Sequence, residues 1–363
     1  MRATAFSLIL LLTPMHAAEP QAENWLAKTK IAPPMAVPSS VEAWRKQRAQ
    51  IRTTLNDLLG DLPPRPPVSA FQVVSIEDKG GYVLETIQFD NGAGEMVKGY
   101  LFLPKKATAQ SKAPAILYCH WHGGQYDIGK KELLGTNAAP VVPGPALAEA
   151  GYIVLGLDAP CFGERNGQGP DGPQQKGSAG EMSASKFHLW SGRTLWGMML
   201  RDDLTALDYL CSRPEVDADR IGVTGISMGS TRSWWIMALD DRPRAAVCVG
   251  CMTRYEELIR AGMLKAHGIY YYVPGMLKHF DTEAVIALAA PRPMLFMTGD
   301  QDGGSPVEGV KHIGNIVGRL YALHGFDERF ENVIYPNVGH VYLPEMWQRT
   351  MAWMEKWVKG GKL

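Results

Sequence analysis

The sequence predicts an α/β protein: a mostly parallel central sheet with helices on both faces and an antiparallel edge on its N-terminal side. Three observations carry this expectation. From Ala115 onward, short apolar or β-branched runs alternate with segments of helical length. Before Ala115, three β-like runs follow one another without a helix between them. The chain has 363 residues of 46% hydrophobic composition, enough to bury a large core.

In chain order, residues 1–18 read as a signal peptide. Arg2 gives a positive start, Phe6 to Leu12 a short apolar core, and His16-Ala17-Ala18 a small-residue cleavage region near residues 17–19. An exported, periplasmic or extracellular protein is expected. No cysteine stands at that boundary to take a lipid, and no later apolar run is long enough to span a bilayer. Residues 19–69 form an N-terminal helical arm: an amphipathic helix at about Val41 to Leu59, with Arg45 to Arg52 on its wet face, then the stiff connector Leu62-Pro63-Pro64-Arg65-Pro66-Pro67.

Residues 70–363 form the main domain. Phe71 to Ile76, Tyr82 to Phe89 and Val97 to Leu103 supply the antiparallel edge, with Asn91-Gly92-Ala93-Gly94 as turn chemistry between the last two. Strands then follow at Ala115 to Cys119, Tyr152 to Leu157, Arg220 to Thr224, Ala245 to Val249, Met294 to Thr298 and Asn332 to Tyr335. The interleaved helices are expected at Pro145 to Ala150, Thr194 to Ser212, Met228 to Leu239, Glu283 to Leu288, Val307 to Leu323 and Pro344 to Lys359. Two connections, 160–191 and 251–281, are too long for ordinary loops of a compact domain and are expected to lie over a site.

A formal net charge of zero and the lack of a long basic run exclude the electrostatic footprint of a nucleic-acid binder. The five cysteines are odd in number, so at least one is unpaired in a monomer. Cys248-Val249-Gly250-Cys251 has redox spacing but ends a β-like run and lacks a second pair for zinc, so buried thiols are expected.

The segment Gly225-Ile226-Ser227-Met228-Gly229 joins a β-like run to a helical one, the setting of a nucleophile elbow, where small residues must flank the serine. A serine hydroxyl needs a base, and that base needs an orienting acid. His312 and His324 fall in or beside a helix, whereas His340 ends the loop Tyr335-Pro336-Asn337-Val338-Gly339-His340 after the last strand, so His340 is the candidate base. Asp300 and Asp302 both follow the strand at Met294. Asp302 lies further into the loop and is the candidate acid; Asp300 is the alternative, suited to capping the turn. An oxyanion also needs backbone donors: Met228 after the nucleophile, and His122 or Gly123 in Cys119-His120-Trp121-His122-Gly123-Gly124. The competing metal reading of His120-x-His122 lacks a completing carboxylate or Asp-His pattern, so no metal and no organic cofactor is expected.

Together these motifs resemble the serine α/β-hydrolases, and among them the exported bacterial esterases grouped with dienelactone hydrolases and acetyl xylan esterases. The resemblance spans about Gly99 to Val358. It includes His120-Trp121-His122-Gly123-Gly124 with Gly129-Lys130, Asp158-Ala159-Pro160-Cys161-Phe162-Gly163-Glu164-Arg165, Arg213-Pro214-Glu215-Val216-Asp217 and Ala290-Pro291-Arg292-Pro293. It implies an α/β-hydrolase fold and an acyl-enzyme mechanism on carboxylic esters, with Ser227, Asp302 and His340 as the triad. A serine in place of the dienelactone hydrolases' cysteine points to ordinary ester cleavage, such as deacetylation of plant polysaccharide or oligosaccharide esters. Met228 stands where many relatives carry glutamine or arginine, so the substrate stays open. Two alternatives remain: a peptidase or amidase of prolyl-oligopeptidase type, for whose propeller the residues before Gly99 are too few, and a non-catalytic binding protein. Trp121 and the Tyr270 to Tyr272 run, centred on Tyr271, lie on site-facing loops and are candidates for substrate contact. Glu164 and Arg165 either bind a polar substrate, orient the loop near Ser227, or form a surface or structural ion pair.

Overall fold

A computed structural model describes residues 20–360, so the expected signal peptide lies outside the described residues. Nine strands form one sheet in the order β1-β2-β3-β5-β4-β6-β7-β8-β9. They are β1 (Gln72–Asp78), β2 (Tyr82–Asp90), β3 (Met96–Pro104), β4 (Ala113–Cys119), β5 (Ile153–Leu157), β6 (Val216–Ile226), β7 (Ala245–Val249), β8 (Met294–Gly299) and β9 (Phe330–Tyr335). The pairs from β1 through β3 to β5 are antiparallel, and those from β5 through β4 to β9 are parallel. This is the α/β-hydrolase fold. Strands β5, β7 and β8 are buried at every position, because helices cover both faces; each therefore reads as an unbroken apolar run.

The helices are α1 (Pro20–Ala27), α2 (Val41–Leu59), α3 (Pro143–Glu149), α4 (Gly177–Trp190), α5 (Leu195–Ser212), α6 (Met228–Leu239), α7 (Tyr255–Arg260), α8 (Thr282–Ala287), α9 (Val307–Leu323) and α10 (Pro344–Met354). Several differ from expectation. The segment 160–191 is not only loop: it contains the 14-residue α4, whose glycine, serine and alanine content hides a helical stripe. The segment 251–281 likewise begins with the short α7. The final helix also ends as an α-helix at Met354 and continues as one π turn, Glu355–Lys359.

The N-terminal arm packs into the main core. Ser40 caps α2 by accepting from the Ala43 amide at 3.2 Å, and Trp44, Ile51, Leu55 and Leu59 are buried with residues of α5, α6 and α8. The stretch Arg45 to Arg52 is not simply a wet face. Arg48 donates to Asp241 at 2.6 Å, and Arg52 donates to Asp241 and to the Ala238 carbonyl, which straps α2 to the end of α6. Hydrogen bonds from Arg52 and Arg48 hold the Asp241 carboxyl well below the usual carboxylate range.

Because Trp44 is only 1% exposed and lies within that shared core, Trp44→Ala is expected to lower the unfolding free energy by about 3–5 kcal/mol. Urea denaturation followed by circular dichroism measures this; a loss under about 1 kcal/mol would mean the arm does not belong to the cooperative core.

Candidate active site

The site is built at the carboxyl ends of the parallel strands, where loops leave the sheet. Strand β6 ends at Ile226 and α6 begins at Met228, so the whole reversal falls on Ser227, whose φ of 59° and ψ of −121° put it in a region that L-residues rarely adopt. The glycines two residues away on each side explain how this is possible. A Cβ on Gly225 would lie 2.2 Å from the Cys119 carbonyl oxygen, and one on Gly229 would lie 2.0 Å from the same atom. The end of β4 thus presses directly on the turn, and no side chain fits at positions 225 and 229.

His340 and Asp302 meet as the sequence suggested. His340 Nδ1–H donates to Asp302 Oδ2 at 2.7 Å, and Asp302 Oδ1 accepts from the Gly304 amide at 2.9 Å. Two backbone bonds lock their loops together: the Asp300 amide to the Tyr335 carbonyl at 3.0 Å, and the Gln301 amide to the Val338 carbonyl at 2.9 Å. Asp300 does not approach the imidazole through a hydrogen bond; its Oδ1 is buried without one. The chain after β7 connects this pair to the serine. Val249 accepts from the Ser227 amide at 2.9 Å, and the next residue, Gly250, has its backbone against the His340 ring edge. His312 lies within α9, and His324 caps its end. Partial burial pulls the His340 pKa down, but the hydrogen bond and charge of Asp302 outweigh it and leave it above the ordinary imidazole value.

The backbone donors are equally well defined. The Met228 amide is at the first position of α6, where no intrahelical acceptor exists. After β4, the Trp121 amide donates to Glu132 Oε2 at 2.7 Å, and the Gly124 amide donates to His122 Nδ1 at 3.0 Å. Between them, the amides of His122 and Gly123 donate to no group among the described residues. Glu132 also accepts from the Tyr118 hydroxyl at 2.6 Å, and burial pushes its carboxyl up to about 7. The His120-x-His122 spacing is not a ligand pair. His120 Nδ1–H donates to the Trp121 carbonyl and its Nε2 accepts from the Ala159 amide, while both nitrogens of His122 are bonded to Gly124 and Glu181.

The substrate-contact expectation for Tyr271 is corrected, and of the readings open for Glu164 and Arg165 the ion-paired one fits the geometry. Arg165 is fully buried, paired with Glu95 and with Asp202 at 2.8 Å, and donates to the Asp158 carbonyl at 3.0 Å. Glu164 pairs with Lys98 and, at 2.7 Å, with Lys130, which also meets Asp158 at 2.7 Å. Both therefore belong to a structural ion-pair network behind the site. Tyr271 is 1% exposed, stacks on His267 with ring centroids 4.1 Å apart and lines a separate apolar cavity of about 280 Å³ with Leu258 and Met276. Its neighbour Tyr270 is the member of the run that reaches the oxyanion loop, stacking on His122 at 5.1 Å. Trp121 is half-buried beside Gly123. Trp196, Trp234 and Trp235 are core.

All five cysteines are free. Cys248 and Cys251 are buried, and the Cys251 Sγ lies 3.9 Å from the Ser227 Oγ, with burial pushing its thiol pKa well up. The residues that sequence reasoning missed are Glu132 and Glu181. Each is a single carboxylate outside any motif, although Glu181 lies in the long segment 160–191, and only its distant partner reveals its contacts.

Comparison with known proteins agrees with this architecture. A family model described as Abhydrolase family matches residues 25–337. The Bacillus subtilis (strain 168) protein named "Putative hydrolase YtaP" is 37% identical over 315 residues, covering 86% of this chain and 100% of that protein. Dipeptidyl-peptidase 5 of Porphyromonas gingivalis is 30% identical over 277 residues, covering 72% of this chain but only 36% of that protein. Among solved structures, the Bacteroides fragilis NCTC 9343 protein BF1801, described as a putative acetyl xylan esterase, superposes with a TM-score of 0.68. It is 20% identical, with 92% of this chain and 88% of that one covered, a likeness of fold.

The His340–Asp302 geometry sets a titration. The imidazole is expected to lose its proton above about pH 6.5, and Asp302→Asn is expected to bring that midpoint down, because it removes the opposing charge while leaving the burial. NMR of the His340 Cε1 proton measures both; an unchanged midpoint in Asp302→Asn would break the assigned pairing.

Proposed function

The chain belongs to the abhydrolase family, and on that premise we propose that it is an exported serine esterase working through an acyl-enzyme. The observation that carries this reading is the His340–Asp302 bond of 2.7 Å, formed at the same carboxyl end of the parallel strands as a serine held at φ 59°. Ser227 Oγ attacks the ester carbonyl while His340 Nε2 takes its proton. Asp302 holds the imidazole with Nδ1–H toward itself, which leaves Nε2 as the acceptor, and its charge favours the imidazolium that forms. The tetrahedral oxyanion is met by the amide of Met228 and those of His122 and Gly123. His340 then delivers the proton to the leaving alcohol. In the second half, it takes a proton from water, whose oxygen attacks the acyl carbon; the bond to Ser227 Oγ breaks, His340 returns the proton to that oxygen, and the acid leaves.

The substrate we assign is a small acyl ester, an acetyl group on a plant polysaccharide or its fragments. The fold likeness to BF1801 supports the ester class. The half-buried Trp121 beside the oxyanion loop supports a sugar-sized alcohol, for which an indole is a stacking surface. The proposed export rests on the signal-like first residues, Arg2 to Ala18. No helix among the described residues is long and apolar enough to cross a membrane.

Hydrolysis of p-nitrophenyl acetate tests the reaction. Wild type is expected to turn over, and Ser227→Ala to lose at least about a thousandfold in kcat. Asp302→Ala is expected to lose roughly two orders of magnitude or more, and Asp300→Ala less than about fivefold. No turnover and no labelling of Ser227 by a serine-directed phosphonate would sink the enzyme reading. Cleavage of aminoacyl anilides in preference to esters would replace the esterase with the peptidase alternative.

A further inference from the structure

The two long segments over the sheet converge on one imidazole, that of His122. From the first segment, Glu181 of α4 accepts from His122 Nε2–H at 3.1 Å, and Phe162 meets the ring edge-on with centroids 5.0 Å apart. From the second, Tyr270 stacks on its face at 5.1 Å. Tyr126, on the oxyanion loop's own continuation, meets the ring at 5.0 Å and donates its hydroxyl to the same Glu181 oxygen at 3.1 Å. The Glu181 carboxylate is 3% exposed, and the backbone of Gly268 packs against its other oxygen. A buried carboxylate held this way needs donors, and the imidazole and the phenol supply them.

The far side of the ring faces the catalytic backbone. With Nε2–H given to Glu181, the ring's proton is placed, and Nδ1 must be the acceptor that receives the Gly124 amide at 3.0 Å. That bond closes a turn from residue 122 to residue 124, and within it lie the two amides, His122 and Gly123, that have no protein acceptor.

We infer that Glu181 is a positioning residue of the oxyanion hole: it sets the tautomer and ring angle of His122, which holds the Gly124 amide and so aims the His122 and Gly123 amides. Docking of α4 and assembly of the oxyanion hole are then one event. This inference rests on the ester-hydrolysis reading above. Glu181 touches no reacting atom, so its loss should appear where the transition state is held and not where the ground state is bound.

The test measures kcat and KM for p-nitrophenyl acetate and the Ki of phenylboronic acid, which forms a tetrahedral adduct on the serine. Glu181→Ala is expected to lower kcat about 10- to 100-fold with KM changed less than about twofold, and to weaken the boronate by a similar factor. Glu181→Gln keeps an acceptor oxygen and is expected to stay within about threefold of wild type. His122→Asn places an amide oxygen where it accepts the Gly124 amide as an Asx turn does. In that background Glu181→Ala is expected to cost less than about twofold, because the anchor no longer depends on Glu181. The inference is overturned if Glu181→Ala retains wild-type kcat and boronate affinity, if glutamine falls as far as alanine, or if the alanine cost is unchanged beside His122→Asn. Where far-UV circular dichroism shows Glu181→Ala unfolded, the comparison of His122→Asn with His122→Ala decides: a kcat at least about tenfold higher in the asparagine variant than in the alanine variant supports it, and equal activities overturn it. A wild type without ester turnover overturns the underlying reading; an active wild type with indifferent variants overturns this inference alone.

Discussion

The constraint on which the rest depends is the approach of the Cys119 carbonyl to the turn that carries Ser227. Strands β4 and β6 are hydrogen-bonded neighbours, and their last paired residues are Cys119 and Gly225. The chain must leave β6 at once, because α6 packs back against β6 and β7. With β4's end in the way, the turn can only be made by a residue at positive φ between two glycines. The same contact fixes what lies beside the serine. The loop leaving β4 at His120 starts against that turn, since a Cβ on Gly229 would lie 3.1 Å from the His120 carbonyl oxygen. The order β6-β7-β8-β9 then determines from which side the acid and the histidine arrive.

Behind the turn lie several buried ion pairs. Arg232 donates to Asp203 through Nε at 2.8 Å, both residues being about 1% exposed, so α6 is tied to α5 directly beneath the nucleophile. Lys130 and Asp158 join the oxyanion loop to the exit of β5, and Arg165 joins that exit to Asp202 on α5. Such pairs add little net stability, since desolvation offsets their attraction. Their geometric content is larger. An uncompensated partner is so costly that alternative loop positions are excluded, which is a way to hold irregular backbone still without a regular ladder of hydrogen bonds.

The sheet and the serine turn were readable because their signals are local. A strand buried on both faces must be apolar throughout, and Ala245–Val249, α6 and α9 fall where the sequence pattern put them. Asp302 and His340 were readable because each follows a strand on a short loop. What was not readable depends on partners far along the chain. Glu164 and Arg165 are recognisable in the sequence as residues that could form ion pairs, but their partners Lys98, Glu95 and Asp202 are not. Helix α4 was hidden because its buried positions are Gly180, Glu181, Ala184 and Ser185, a face defined by smallness and by one carboxylate instead of by apolar bulk. Tyr270 and Tyr271 are adjacent, so only the turn between them decides which one meets His122 and which one turns into the 280 Å³ cavity.

The oxyanion loop shows why those hidden partners matter to chemistry. Stabilisation of a developing charge is effective when its donors are aimed before the charge appears, because reorientation during the reaction would use up the energy gained. Loops do not hold such aim by themselves, having neither a ladder of hydrogen bonds nor a packed face. Here the loop is fixed at two points. The carboxylate of Glu132 holds the Trp121 amide and the Tyr118 hydroxyl, which joins the loop to the strand it leaves. The His122 ring holds the Gly124 amide. The two amides left without acceptors lie between these two anchors. They are donors whose flanking peptides are already committed, and under the esterase reading proposed above the acceptor that satisfies them is the oxyanion of the tetrahedral intermediate.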